Sequence, residues 1–181
     1  MFELIAEGIA VIKIKKAEKI SKEMEVFYNP VMKLNRDITI LLLQQFPPMH
    51  LCDPLAASGI RSIRFAKELK YKSISINDIN KKAVKSIKDN LRLNKIKKFS
   101  IIKNTIKKVN NKKNIYDIKI KIYNEDANLF LLNSKGFGYI DIDPFGTSNY
   151  YLDSAIKRIS RNGILAVTNT DTAALTGTYP K

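Results

Sequence analysis

Short apolar runs alternate along this chain with stretches whose apolar residues recur every three or four positions, and that alternation leaves few folds open. Leu51-Cys52, Ser73 to Asn77, Gly138 to Ile142 and Ile164 to Thr168 read as strands. Tyr116 to Tyr123 joins them by its alternation of Ile and Lys. Helices are marked by Ile60, Ile63, Ala66 and Leu69, by Ala83, Val84, Ile87 and Leu91, and by Leu152, Ala155, Ile156 and Ile159. Strand and helix in turn imply an α/β domain built on a parallel sheet. Gly138 to Ile142 is the most apolar strand, as befits a central position covered on both faces.

The N-terminal portion is organised differently. Ile9 to Ile14 reads as the second half of a hairpin turning at Glu7-Gly8. Asn29-Pro30 then offers a helix cap followed by proline at the first helical position. Val31, Leu34, Ile38, Leu41 and Leu42 keep one face of that helix apolar, and Arg36 lies off this set, free to face a ligand. The expected organisation is a hairpin and helix over residues 1–48, packed on a main domain over 49–181.

With 181 residues, 45% of them hydrophobic, the chain can bury one real core. A net charge of +15 points to a polyanionic partner, most simply nucleic acid. The charge is uneven: from Lys95 to Asn124 ten lysines face one acid, Asp117, so nine of the fifteen net charges lie in one segment. That lysine-rich stretch, about residues 95–115, reads as a solvated excursion, either an RNA-contacting arm or a compositional bias. No run of eighteen apolar residues exists to span a membrane, and Met1-Phe2-Glu3-Leu4 does not open a secretion signal. Cys52 is the only cysteine; with His50 it cannot build a four-ligand zinc site, and a reduced cytosolic setting fits. No metal site is expected.

Ligands of parallel sheets bind at the C-terminal ends of the strands, so the residues there carry the chemistry. Asp53-Pro54-Leu55-Ala56-Ala57-Ser58-Gly59-Ile60-Arg61 is a strand-to-helix turn of small residues that lets a ligand approach the backbone. It lacks the GxGxxG of a dinucleotide site. Asp78 follows Gly59 by 19 residues, close to the spacing at which an acid meets ribose hydroxyls. Asp126-Ala127 ends the next strand, where an acid can accept from an adenine amino group. The fourth end is Asp143-Pro144-Phe145-Gly146. This set suits methylation of an amino group on a flat ring, whose lone pair is shared with that ring. A carboxylate (Asp143) accepting an N–H favours the geometry in which the lone pair points at an incoming methyl. Pro144 supplies a carbonyl acceptor, and Phe145 a stacking face worth roughly 1–3 kcal/mol per base.

The pattern is that of class I methyltransferases using S-adenosylmethionine. The blocks Val26 to Asp37, Ala57 to Arg61, Asn77-Asp78-Ile79, Asp126-Ala127-Asn128, Asp141 to Gly146 and Thr168 to Ala173 together resemble the tRNA (guanine(26)-N(2))-dimethyltransferase family. The resemblance runs from about Glu7 to Pro180 and implies a Rossmann-like methyltransferase sheet. It implies that Arg36 and Arg61 hold the methionine end of S-adenosylmethionine, Asp78 its ribose, and Asp126 with Ala127 its adenine. Asp143 and the Pro144 carbonyl would hold the guanine amine, with Phe145 and Phe27 walling the base. tRNA is the implied partner. Family members continue into further strands and a C-terminal domain, so the sheet is expected to be incomplete here and to need the remaining part of the enzyme, from the same gene or a second chain. Two other readings stay open: an amino-methyltransferase for another RNA or DNA base, and a non-catalytic RNA-binding half.

Overall fold

The computed structural model describes residues 2–15, 24–102 and 118–169. The centre of the lysine-rich stretch, Lys107 to Asn114, and most of the Thr168–Ala173 block lie outside the described residues. Phe2–Glu7 (β1) and Ala10–Lys15 (β2) pair antiparallel around Gly8. Gly8 has φ +53°, a left-handed backbone angle that favours glycine. A single 3-10 turn, Pro30–Met32, leads into α1 (Lys33–Leu43); Asn29 caps the turn by accepting from the Val31 N–H at 3.0 Å.

The remaining elements alternate: β3 (His50–Asp53), α2 (Ile60–Glu68), β4 (Ser73–Asn77), α3 (Lys81–Leu93), β5 (Ser100–Ile102), β6 (Ile120–Tyr123), α4 (Ala127–Leu132), β7 (Phe137–Ile142), α5 (Asn149–Ile156) and β8 (Ile159–Val167). Six parallel strands form one sheet in the order β5-β6-β4-β3-β7-β8. The chain runs from β3 through β4 to the edge strand β5, inserts β6 between β5 and β4, then returns to β7 and runs outward to β8 on the other side. The switch point therefore falls between the tips of β3 and β7. β5 forms inside the stretch read as a solvated excursion, where it adds a three-residue edge to the sheet.

Two cores flank the sheet, and the period-2 alternation of the strands sorts residues between them. Leu51 and Tyr139 face the side covered by β2, α1, α2 and α3, with Ile63 and Ile87 fully buried there. Cys52, Ile140 and Ile142 face the other side, against Phe130 of α4 and Ala155 of α5. Each such aliphatic side chain contributes roughly 1.5–3 kcal/mol. The hairpin is fixed to α3 by amide side chains that act as a strand partner. Asn94 accepts from the Val11 N–H at 2.9 Å, and Asn90 accepts from the Lys13 N–H at 2.8 Å.

α1 corrects the sequence reading. Its apolar stripe Val31, Leu34, Ile38, Leu41 and Leu42 points to solvent, while Arg36, Thr39, Ile40 and Leu43 on the opposite side are buried. Arg36, off that stripe, is 5% exposed and paired with Glu7. Periodicity locates a stripe without saying what it faces.

Candidate active site

A cleft of about 390 Å³ opens at the switch point, bounded by the segment from Phe27 to Met32, the β3–α2 turn and the Asp143–Phe145 segment after β7. Of the residues singled out from the sequence, Phe27, Arg36, Arg61, Asp143, Pro144 and Phe145 line it. The rings of Phe27 and Phe145 meet edge to face, their centroids 5.2 Å apart and their planes at 86°. They form one apolar wall, and Phe145 remains 47% exposed.

The polar floor is an arginine shared among acids. Arg61 Nη1 lies 3.0 Å from Asp141 Oδ2, and Nη2 donates to Asp143 Oδ2 at 2.7 Å and to Asn35 Oδ1 at 2.9 Å. Nη1 also donates to Thr39 Oγ1 at 3.2 Å, and the Tyr139 hydroxyl donates to Asp141 Oδ2. Burial, which by itself disfavours the charged guanidinium, is outweighed by Asp141 and Asp143, so the Arg61 pKa lies above its ordinary value. Asp53, at the tip of β3, also lines the cleft and accepts from Ser62 Oγ at 2.7 Å. Burial pushes its carboxyl up to about 7, opposed by the Ser62 hydrogen bond and Arg61 and reinforced by Asp141 and Asp143.

Arg36 is held by the hairpin. Its Nε and Nη2 donate to the two oxygens of Glu7 at 2.8 and 2.6 Å, and Nη2 also reaches the Asn29 carbonyl at 3.0 Å. The Tyr28 hydroxyl donates to Glu7 Oε1 at 2.8 Å. Burial alone would raise the Glu7 carboxyl. The hydrogen bonds from Arg36 and Tyr28 and the charges of Arg36 and Arg64 prevail and hold it below its usual range. The fork–fork geometry fixes the entire Phe27–Asn29 approach to the cleft through one carboxylate.

Asp78, Asp126 and Ala127 do not line this cleft; they stand at the neighbouring tips of β4 and β6. Asp78 Oδ2 accepts from the Ala57 N–H at 2.7 Å and Oδ1 from the Asn80 N–H at 2.8 Å, which ties it to the β3–α2 turn. Burial raises its pKa against those two backbone donors. Asp126 Oδ1 caps α4, accepting from the N–H groups of Asn128 and Leu129 at 3.0 and 3.1 Å. Asn77 Nδ2 donates to the carbonyls of Pro54 and Glu125, both at 3.0 Å, lacing three strand tips together. Tyr151 of α5 reports the shared space: burial raises its phenol pKa, and the charges of Asp126 and Asp78 raise it further.

Several of these residues carry no role in the sequence reading: Glu7, Asn35, Asp53, Asp141 and Tyr151. Asp141 gave a signal, since an acid at an inward position of an apolar strand needs a partner. Glu7 gave none, because its partner lies 29 residues away. His50 is exposed and contacts Ser73 Oγ at 2.7 Å, away from the cleft, and Cys52 is buried behind the sheet. Among the described residues no group of His, Cys, Asp and Glu could hold a metal ion, and no helix is long and apolar enough to cross a membrane.

A parallel sheet with a hairpin at its N-terminus and an acid-ringed cleft at its switch point defines a Rossmann-like methyltransferase fold. Residues 8–181 match the family described as N2,N2-dimethylguanosine tRNA methyltransferase. The tRNA (guanine(26)-N(2))-dimethyltransferase of Methanococcus maripaludis is 40% identical over 190 residues, covering 99% of this chain and 45% of the relative. The tRNA (guanine(26)-N(2)/guanine(27)-N(2))-dimethyltransferase of Aquifex aeolicus is also 40% identical, over 99% of this chain and 43% of its own length. Trm1 from Pyrococcus horikoshii, solved with S-adenosyl-L-methionine, superimposes with a TM-score of 0.79 at 37% identity, covering 98% of this chain and 45% of that one. The chain belongs to the N2,N2-dimethylguanosine tRNA methyltransferase family. It spans somewhat less than half the length of the relatives it matches.

Proposed function

We propose that this chain forms the cofactor- and amine-binding half of an enzyme that methylates the N2 amine of guanine at position 26 of tRNA, using S-adenosylmethionine. The observation that carries this reading is the cleft in which Asp143, Pro144, Phe145 and Phe27 face Arg36 and Arg61.

The residues present fit the cofactor in kind. Arg36 spends Nε and Nη2 on Glu7, and Nη1, which takes no part in that contact, is a donor for the methionine carboxylate. Arg61 is more committed; it adds positive charge to the cleft floor while holding Asp143. The two oxygens of Asp78 each take one backbone N–H and keep a lone pair for ribose hydroxyls. Asp126 Oδ2 takes no part in the α4 cap and can accept from an adenine amino group, with Ala127 leaving room for the ring. When bound there, S-adenosylmethionine supplies a methyl group on a sulfonium, which departs as a neutral thioether.

The chain's own residues prepare the acceptor. Arg61 fixes Asp143 through Oδ2, leaving Oδ1 to accept an N–H of the guanine amine. With the Pro144 carbonyl as second acceptor, both N–H bonds are directed away and the nitrogen lone pair points toward the methyl. Phe145 and Phe27 stack against the base, offsetting the few kcal/mol needed to take it out of the RNA stack. One N–H proton leaves as the N–C bond forms, and Asp143 is the nearest base within this reading. Positive charge attracts the tRNA backbone.

Nucleoside mass spectrometry of tRNA treated with the complete enzyme tests this reading. N2-methylated guanine at position 26 is expected. Methylation at a different base type, or on DNA in preference to tRNA, would replace it.

A further inference from the structure

The outer faces of β2 and α3 meet over a second cleft, of about 400 Å³. Alternation along β2 sends Ile12 and Ile14 into the core and leaves Lys13 and Lys15 exposed. On α3, Ala83, Val84 and Ile87 are buried, so Lys82 and Lys85, three positions apart, share an outer face. All four lysines line the cleft, against two acids among the described residues, Glu25 and Asp89. Lysines on a solvated face are common, so the number of charges decides nothing by itself. Their geometry does.

Glu25 shows where an anion sits. Its Oε2 lies 3.5 Å from Lys15 Nζ and its Oε1 3.3 Å from Lys82 Nζ, so a strand lysine and a helix lysine converge on one exposed carboxylate. The hydrogen bond and charge of Lys82, with Lys15 adding to them, hold that carboxyl below its usual range. A phosphate has the same sign of charge and more acceptor oxygens, so two ammonium groups from separate elements suit it as well. Phe2, 64% exposed, stands at the same cleft, with Lys13 Nζ 4.8 Å from its ring centre. A basic groove with an exposed aromatic is the arrangement that binds single-stranded nucleic acid, phosphates on the cations and a base on the ring. The groove also adjoins the active site. Glu25 and Val26 line it, and Phe27, the next residue, lines the active-site cleft. Asn80 Nδ2 donates to the Glu25 carbonyl at 3.2 Å, which ties this dividing segment to the start of α3.

We propose that this second cleft binds the sugar–phosphate backbone of the tRNA strand next to the target guanine. A strand whose base lies against Phe27 continues across the dividing segment to the lysines. Lys15 and Lys82 hold one phosphate in the position that Glu25 occupies, Lys13 and Lys85 hold the flanking ones, and Phe2 stacks on a neighbouring base. Glu25 is then a competing anion that the RNA displaces. The inference deepens the proposed function and rests on its choice of tRNA as substrate, but not on the roles given to Asp143 or to the cofactor residues.

The test measures binding of unmodified tRNA to the 181-residue chain by fluorescence anisotropy across a salt series. Lys82→Gln/Lys85→Gln should lower affinity about 5-fold or more and reduce the slope of log affinity against log salt by about 1–2. Lys70→Gln/Lys72→Gln removes the same charge from exposed positions just before β4, which line neither cleft, and should change affinity by less than about 2-fold. Glu25→Gln should raise affinity about 3-fold, whereas Asp153→Asn, which frees Lys157 of α5 from a similar exposed pair, should not. All four variants should unfold at the temperature of the parent, because the altered side chains are exposed. No tRNA binding by the parent, equal losses from the two lysine pairs, or no gain from Glu25→Gln would overturn the proposal. Nucleoside mass spectrometry with the complete enzyme reads the proposed function separately, so N2-methylated guanine found beside such a result would reject this surface and keep the reaction.

Discussion

Asp141 and Asp143 are held by a side chain, whereas Asp78 and Asp126 are held by the backbone. The first pair shares the Arg61 guanidinium in a buried setting with Asp53 close by. The second pair sits at strand tips, where N–H groups of the β3–α2 turn and of helix starts supply the hydrogen bonds. Removing one arginine strands two acids, while no single side-chain change can remove the backbone donors. The first cluster is suited to a reactive role that needs one carboxylate oxygen aimed and the other fixed. Under the proposed function the second serves as a cradle for groups that must only be recognised.

The sharpest break in this comparison is Asp143→Ala in the complete enzyme. Methyl transfer should fall by about 10²–10⁴-fold with S-adenosylmethionine affinity little changed, read by single-turnover assay beside calorimetry. Retained turnover would remove Asp143 from the reaction. Next, Arg61→Ala should cost about 3–5 kcal/mol of folding stability by chemical denaturation, because it leaves Asp141 and Asp143 uncompensated. A loss below 1 kcal/mol would mean that water already shares the cluster.

Asp53 gives a pH signature of the same cluster. Its carboxyl titrates at about 7 in the folded chain and near 4 when unfolded, so between those values the folded state holds more protons. Stability should therefore fall as pH rises from about 4 to 7, then level off. Asp53→Asn should flatten that fall and stabilise the chain at pH 8 by at most about 4 kcal/mol. A variant with an unchanged pH profile would show that Asp53 is ionised in the fold. In the other cluster the effects are smaller: Asp126→Ala should cost about 1 kcal/mol by chemical denaturation, the usual value of a helix cap.

Much of the sheet was legible in the sequence because its strands are short apolar runs with period-2 burial. Ser73 to Asn77 forms β4 with the bounds read from its sequence, and the acids at the strand tips fall where parallel-sheet logic puts them. Ile159, read as the end of a helix, instead opens β8, because α5 stops at Ile156. The face of α1 was misjudged for a deeper reason. Val31, Leu34, Ile38 and Leu41 form a stripe that faces solvent, and sequence periodicity alone does not say which way a stripe faces. The carboxylate that pairs with Arg36 was not legible because it lies in the hairpin, remote in sequence. Long-range ion pairs of this kind leave no local pattern, so the Glu7–Arg36 and Arg61–Asp141 contacts emerge only in three dimensions.

The central claim, that the strand tips of this chain form an S-adenosylmethionine site, is tested most directly by calorimetric titration of that cofactor into the purified chain and its Asp78→Ala variant. The account predicts saturable one-to-one binding by the parent chain and an affinity lower by about 10-fold or more in the variant, the loss expected for ribose hydroxyls deprived of their charged acceptor. Absence of binding to the parent chain, or equal affinity in the two proteins, would contradict it.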